Sequence, residues 1–330
     1  MTNWGGMSWA GVVLSGILMG SFAVPMKMAR AWKFPHIWGM FSVIAMAVIP
    51  WLLVMLAVPG WTGVMGAVPG RGLVILLLLG LLWGVASLLY GLAVDLLGIA
   101  LGYSIQLGLS IVIGAIIPMY GARSLSLRSA GDAAFLGGLT LMVAGVVVCA
   151  QAGGANGKAA MAGAARFRKG LIIAIAGGIG SPLLNIGIQY GISLIPRTPG
   201  AGLVEWVAWA VFLSAAAVSQ AGFCFYRIHA TREAALFRSR EARHDAAFVV
   251  VMSVVWAAGT FLYGSSAAGL GRLGTSVGWP VFIGMVVIAS NAWGVALGEW
   301  KERARGAFVR MFAGCAMLLV AAFVVATYRR

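Results

Sequence analysis

The sequence predicts an all-α integral membrane protein of about ten transmembrane helices, arranged as two inverted five-helix repeats. Three observations predict it. Of the 330 residues, 62% are hydrophobic and only 9% are charged, whereas a soluble domain carries about 25% charged residues. The apolar residues fall into ten stretches, each near the roughly 20 residues a helix needs to cross a bilayer. A Trp/Tyr/Gly pattern recurs in the third and eighth stretches at a constant separation. The mean hydropathy of +0.98 and the 47 glycines agree, because small residues let transmembrane helices approach closely.

The expected spans are 7–25, 36–58, 72–94, 99–120, 133–151, 170–194, 203–226, 246–268, 275–298 and 308–327. The first is expected to stay in the mature chain. Its first basic residue, Lys27, follows the apolar run, and a secretory signal carries its positive charge ahead of that run. Pro25, Pro280 and Ser181-Pro182 are expected to break or bend their helices, the last after Gly177-Gly178-Ile179-Gly180; such interruptions free backbone groups that line polar cavities. Short turns are expected around Asp95 and Arg272.

Loop charge sets orientation, because Lys and Arg are retained on the cytoplasmic side. Lys27, Arg30 and Lys33 follow the first span, and Lys158, Arg166, Arg168 and Lys169 the fifth. Arg227, Arg232, Arg238, Arg240 and Arg243 follow the seventh, and Lys301, Arg303 and Arg305 the ninth. The even-numbered loops hold far fewer cations, so odd-numbered loops are expected to be cytoplasmic and both termini outside. Residues 152–169, rich in Gly and Ala, read as a cytoplasmic linker between a first half, 1–151, and a second half, 170–330. Residues 227–245 form a second hydrophilic connection of mixed charge.

The net charge of +15 sits in these loops. It fits contact with anionic lipid head groups and gives no reason to expect a nucleic-acid partner. Cys149, Cys224 and Cys315 each stand in apolar sequence with no C-x-x-C, which is neither a disulfide framework nor a zinc site; they read as small packing residues. There is no G-x-x-x-x-G-K-[ST], H-E-x-x-H or G-x-S-x-G. ATP-driven pumping, cofactor or metal chemistry and a catalytic constellation are therefore not expected.

Trp83, Tyr90, Gly91, Leu97 and Gly98 are matched by Trp256, Tyr263, Gly264, Leu270 and Gly271, each pair 173 residues apart. The third and eighth spans hold equivalent places in halves of five. An odd number of spans per half turns the second half upside down, the architecture of many secondary transporters, whose substrate site lies near the bilayer midplane. The same pattern can also be a way of making a tight helix hairpin.

Polar groups inside hydrocarbon are costly and therefore candidates for function. Gln106 lies two turns into the fourth span. Asn185 and Gln189, four apart in the sixth, share a helical face. Gln220 lies in the seventh span, and Ser290 and Asn291 in the ninth. Amides and hydroxyls donate and accept, which suits a neutral polyhydroxylated solute; the alternative is interhelical bonding. Trp83, Tyr90, Trp256, Tyr263 and Trp279 can offer aromatic faces to a sugar ring or simply pack. Trp4, Trp9, Trp51, Trp61 and Trp300 read as interfacial anchors. Asp132, Glu233, Glu241, Asp245, Glu299 and Glu302 lie in loops or at span ends. For proton coupling the candidates are Glu205, just inside the seventh span, and Asp95, with His36 behind them; a solvated span end is the alternative for each.

With those residues in place, the chain resembles the L-rhamnose–proton symporter family of the drug/metabolite transporter superfamily. The likeness runs through Gly20-Ser21-Phe22-Ala23-Val24-Pro25-Met26-Lys27, with Trp32 and Trp38 following. It continues in Trp83-Gly84 with Tyr90-Gly91-Leu92 and Leu97-Gly98, in 108–118, in Gly222-Phe223-Cys224-Phe225, and in the stretch ending at Glu299-Trp300. The resemblance implies ten helices in two inverted halves and sugar uptake driven by protons, with L-rhamnose or a related deoxyhexose as substrate and alternating access as mechanism. An exporter of the same superfamily is the other transporter reading. A non-transporting sensor or assembly factor belongs to a different class, told apart by the lack of a polar cavity.

Overall fold

The computed structural model describes residues 4–97, 99–121, 130–153, 164–195, 203–270, 276–298, 300 and 305–327. The described residues form helices with no strand among them. These are α1 (Trp4–Ser21), α2 (Phe34–Val43), α3 (Ile49–Ala57), α4 (Trp61–Ala67), α5 (Gly70–Leu97), α6 (Ile99–Gly121), α7 (Ala130–Gly153), α8 (Ala164–Gly180), α9 (Leu183–Leu194), α10 (Trp206–Ala230), α11 (Ala242–Gly269), α12 (Gly278–Ala296) and α13 (Arg305–Thr327). Nine spans long and apolar enough to cross a membrane occur among the described residues; α6 contributes the shorter apolar stretch Ile105–Ile117. Of the expected linker 152–169, residues 154–163 lie outside the described residues, while 152–153 end α7 and 164–169 open α8 rather than forming loop.

Proline chemistry shapes several helices. α1 ends before Pro25, which opens a 3-10 turn, Pro25–Met28. The second span joins α2 to α3 through a π-helical turn, Ile44–Val48, which ends two residues before Pro50; that ring would clash with the carbonyl four residues back in a straight α-helix. The sixth span breaks at Ser181-Pro182 into α8 and α9, as expected. Pro280 differs from expectation. It lies in the first turn of α12, where a missing N–H costs nothing and no break follows. Asp95 also differs, because α5 runs through to Leu97 and carries it in its last turn rather than in a connecting turn. The short helix α4, entered at Gly60 with φ of +73°, was not expected, since seven residues are too few for a span signal.

The chain packs as two compact units that each draw on both sequence halves. The first comprises Met1–Ser21, Ala86–Pro182 and Ala258–Arg330. In it α7 and α13 lie antiparallel, with Gly138 against Val325, Gly145 against Leu318 and Gly314 against Cys149. α1 runs parallel to α12: Gly16 meets Phe282 and Met285, Gly20 meets Val286 and Ala289, and Ser290 donates to the Gly20 carbonyl at 3.3 Å. Any Cβ at Gly20 would come within 2.7 Å of the Val286 carbonyl, so glycine is required by close approach. α11 crosses α1 antiparallel, Gly11 facing Ser266 and Gly269 facing Ser8. α6 and α8 are parallel neighbours, joined at Gln106–Gly177, Leu109–Gly178 and Ser110–Ser181.

The second unit comprises Phe22–Val85 and Leu183–Ala257. Its centre is α10, the most enclosed span. The second span packs on it antiparallel, from Gly39 against Cys224 to Trp51, whose indole donates to Ser214 at 2.9 Å. α5 packs on α10 in parallel, Gly80 on Phe212 and Gly84 on Ala216, and α9 antiparallel, Gly187 on Phe212 and Gly191 on Ala208. Trp51 and Trp61, expected as interfacial anchors, meet edge to face at 5.3 Å over a buried cluster of Val54, Val58, Val204, Val207 and Ala210.

At one end of this unit the connection after α1 is bound to the segment before α11. Asp245, in the first turn of α11 and fully buried, accepts the backbone N–H groups of Arg30, Ala31 and Trp32 at 2.9, 2.8 and 2.8 Å. Trp32 donates its indole N–H to the Leu236 carbonyl at 3.1 Å and meets Phe237 edge to face. His36 Nε2 bonds the Glu233 carbonyl at 3.0 Å. Arg30–Glu241 and Lys33–Glu233 ion pairs flank the clasp. The cationic stretches after the first and seventh spans thus share one end of the unit, as their odd numbering expects.

Candidate functional site

In the first unit, four helices converge on a polar and aromatic cluster. Ser181 sits at the break between α8 and α9, its N–H held by the Gly177 carbonyl at 2.8 Å, because Pro182 cannot continue the ladder. Ser110, on the facing turn of α6, donates its hydroxyl to Ser181 Oγ at 3.1 Å. The Ser110 carbonyl in turn accepts the indole N–H of Trp279, from the first turn of α12, at 3.0 Å. Gly114, one turn further along α6, makes room for that ring: a Cβ there would lie 2.5 Å from the indole. Tyr263, from α11, meets Trp279 edge to face at 5.7 Å and Phe282 at 4.5 Å, and Trp279 and Phe282 lie 5.6 Å apart.

Gln106 completes the cluster one turn before Ser110, on the same face of α6. Its side chain is 1% exposed, and neither its amide oxygen nor its amide nitrogen has a hydrogen-bond partner. The amide lies against Gly177, where a Cβ would collide with it. A buried amide left unbonded costs about 1–3 kcal/mol, so this side chain is held where a further polar group would lower its energy.

The other expected residues are distributed differently. In the first unit, Asn291 donates to the Val287 carbonyl of its own helix at 3.0 Å, and Tyr90 is half-buried on α5. Asp95 also belongs there, but its side chain lies outside the described residues. In the second unit, Trp83 packs on Phe212 at 5.9 Å and Trp256 edge to face on Phe41 at 5.8 Å. Asn185 is buried on α9 and Gln189 exposed. Glu205 precedes α10, half-buried, with its backbone carbonyl accepting from Ala208 and Trp209. Tyr263 and Trp279 are therefore brought together beside Ser110, one turn from Gln106 along α6, whereas Trp83, Trp256, Asn185, Gln189 and Glu205 belong to the other unit.

Gln220 is a bonded counterpart to Gln106. Its oxygen accepts from Trp38 Nε1 at 2.7 Å and from Ser42 at 3.3 Å, and its nitrogen faces Met46 Sδ at 3.5 Å. It joins the second span to α10 and has little capacity left for a ligand. Sequence reasoning passed over Ser110 and Ser181; the signal was present, since Ser110 follows Gln106 by one helical turn. A crevice lined by Met65, Leu73, Leu76 and Leu194 in the second unit is wholly apolar and offers nothing to a polar solute. Among the described residues no set of three His, Cys, Asp or Glu side chains could hold a metal.

Comparison with known proteins finds relatives over nearly the whole chain. The family model described as L-rhamnose-proton symport protein (RhaT) matches residues 6–328. The chain is 24% identical to the "L-rhamnose-proton symporter" of Pectobacterium atrosepticum over 318 residues, covering 92% of each chain. It is equally similar to that of Pectobacterium carotovorum subsp. carotovorum, and 22% identical over 317 residues to that of Escherichia coli O1:K1 / APEC, with the same coverage. With at least nine apolar spans and bacterial relatives throughout, it is a multi-pass protein of the bacterial inner membrane. The chain belongs to the L-rhamnose-proton symport protein (RhaT) family.

Proposed function

We propose that the chain is a secondary transporter that takes up a deoxyhexose, L-rhamnose or a close relative, together with protons by alternating access. The observation that carries this reading is Gln106, a buried amide with unused donor and acceptor capacity, one helical turn from the Ser110–Ser181 pair to which the Trp279 indole is bonded. Sugar hydroxyls match the amide and the serines, and the C–H face of a deoxysugar matches the rings. The shared names of the relatives support sugar and proton as the pair carried; no observation favours the exporter reading. Of the remaining candidates, Tyr90 and Asn291 belong to the same unit as Gln106. Trp83, Trp256, Asn185 and Gln189 belong to the other.

Two inverted five-helix halves, 1–151 and 170–330, with α6 as the fourth of ten spans, are part of the proposal. In inverted repeats, equivalent spans run antiparallel, and the second and seventh do so in one unit, the fifth and tenth in the other. The first span packs parallel on the ninth and the sixth on the fourth, as an exchange of halves requires. Trp83 of the third span packs on the seventh and Trp256 of the eighth on the second, again exchanged partners. The unit boundaries fall after Ser21 and Pro182, and after Val85 and Ala257, at matching places in the two halves. Rocking of such halves about a midplane site is how carriers of this architecture alternate.

Uptake by the purified chain in proteoliposomes tests the reading. L-rhamnose, other deoxyhexoses and ordinary hexoses would be offered with and without an inward proton gradient. Gradient-stimulated uptake of a deoxyhexose is expected, and Gln106→Leu should reduce it at least tenfold while the protein stays folded. Failure of every sugar to move under either condition would end the sugar reading. For coupling, Glu205→Gln and Asp95→Asn are each to be compared across pH. The variant that keeps sugar exchange but loses gradient-driven accumulation identifies the coupling carboxylate.

A further inference from the structure

Three sulfur atoms meet inside the first unit, where α13 crosses α7. Cys149 Sγ lies 3.8 Å from Cys315 Sγ, so the two cysteines that stand far apart in sequence are neighbours, both as free thiols. Met311, one helical turn before Cys315, brings its Sδ to 3.9 Å from Cys315 Sγ and its backbone carbonyl to 3.6 Å from Cys149 Sγ. Gly314 fixes the crossing. A Cβ there would lie 2.6 Å from Cys149 Sγ and 2.9 Å from the Gly145 carbonyl, so only glycine lets the helices close far enough to bring the sulfurs together. Cys149 is 5% exposed and Met311 3%, while Cys315 is partly exposed.

We propose that Cys149, Cys315 and Met311 form a binding site for a soft monovalent cation, Cu(I) or Ag(I). Thiolate and thioether sulfur select soft ions of this kind over hard ones. With metal–sulfur bonds of about 2.3 Å, three sulfurs around one ion stand about 4.0 Å apart, and two in a linear arrangement about 4.6 Å apart. The distances from Cys315 Sγ to Cys149 Sγ and to Met311 Sδ, 3.8 and 3.9 Å, match the three-sulfur case. Binding exchanges one thiol proton for the cation, S–H + M⁺ → S–M + H⁺, with no change of oxidation state. The site's net charge is unchanged, which suits its place among apolar helices, where added charge is costly. Zinc is a poorer match, because it takes four ligands and brings a second positive charge.

Cu(I) titration of the full-length protein in detergent, in competition with a chromogenic Cu(I) chelator, tests this. One Cu(I) per chain is expected, with X-ray absorption giving sulfur neighbours near 2.3 Å. Cys149→Ser and Cys315→Ser should each lose at least a hundredfold in affinity, and Met311→Leu about tenfold. Cys224→Ser, which alters a buried cysteine of the other unit, should bind as the parent does. Monodisperse elution and unchanged far-UV circular dichroism establish that each variant is folded. If the parent takes no more Cu(I) than the Cys149→Ser/Cys315→Ser double variant, or if Cys224→Ser loses as much as either single variant, the proposal is overturned and the three sulfurs are packing groups.

Discussion

Removing the carboxylate of Asp245 should release the connection after the first span, and the size of the effect follows from the hydrogen bonds. Its Oδ2 accepts from Ala31 and Trp32 at 2.8 Å each, and its Oδ1 from Arg30 at 2.9 Å and from His244 Nδ1 at 3.1 Å. A hydrogen bond to a charged group is worth about 1.5–3 kcal/mol. The N–H groups of Arg30 and Ala31 are only partly buried, so water can replace the acceptor there, whereas the Trp32 bond is buried. Asp245→Ala should therefore cost about 3–5 kcal/mol. Asp245→Asn keeps one oxygen for Ala31 and Trp32 but turns an NH2 group toward the Arg30 N–H, for about 1–2 kcal/mol. For a chain of this size, the alanine variant should melt about 5–10 °C lower. Amide exchange at 30–32 should accelerate by about two to three and a half orders of magnitude, with asparagine between alanine and the parent. An alanine variant that melts within about 1 °C of the parent, with exchange at 30–32 unchanged, would refute the reasoning.

Three further outcomes are expected. Gln106→Leu removes a buried amide with no bonded partner, so it should raise thermal stability by up to about 1–3 kcal/mol while abolishing sugar uptake; a loss of stability would mean the amide is a structural group. Gly114→Ala places a methyl against the Trp279 indole. It should cost about 1–3 kcal/mol, weaken the Trp279–Ser110 bond and shift tryptophan emission; an unchanged melt and spectrum would count against the tight fit. The Lys33 ammonium bonded to Glu233 holds that carboxyl below its ordinary value of 4.5. Because the folded value is the lower one, the pairing contributes above about pH 4.5 and is lost as pH falls through the depressed value. Limited proteolysis after Lys33 and Arg232, with an acid-active protease cutting the same segment at low pH, should therefore stay slow at neutral pH and quicken only under acid. Glu233→Gln should show the faster cleavage at neutral pH.

Much of the architecture was legible because it depends on composition along the chain. Apolar stretches of bilayer length must become helices, since hydrocarbon offers no other partner for the backbone, and the helices lie within a few residues of the stretches that predicted them. The Ser181-Pro182 break was legible because proline cannot complete the ladder whatever surrounds it. Pro280 misled for the same reason: whether a proline breaks a helix depends on where the helix starts, and the sequence around 275–280 does not mark that start. Asp245 read as one more charged residue at a span end, because its importance comes from three backbone N–H groups more than two hundred residues away.

By itself the sequence determined that this chain lives in a membrane, where its apolar helices and its cations lie and which family it resembles. Those properties are sums over local segments. Which polar groups are bonded and which are not was decided by the tertiary structure. Gln220 and Gln106 are both amides in apolar helices, yet one is held by Trp38 and Ser42 and the other lies unbonded against Gly177. Two cysteines 166 residues apart became neighbours because glycines at 145 and 314 let two helices close on one another. Hydrogen-bond satisfaction and sulfur–sulfur distance are properties of pairs. The pairing was set by which helix faces carry glycine, and therefore by how closely the helices approach.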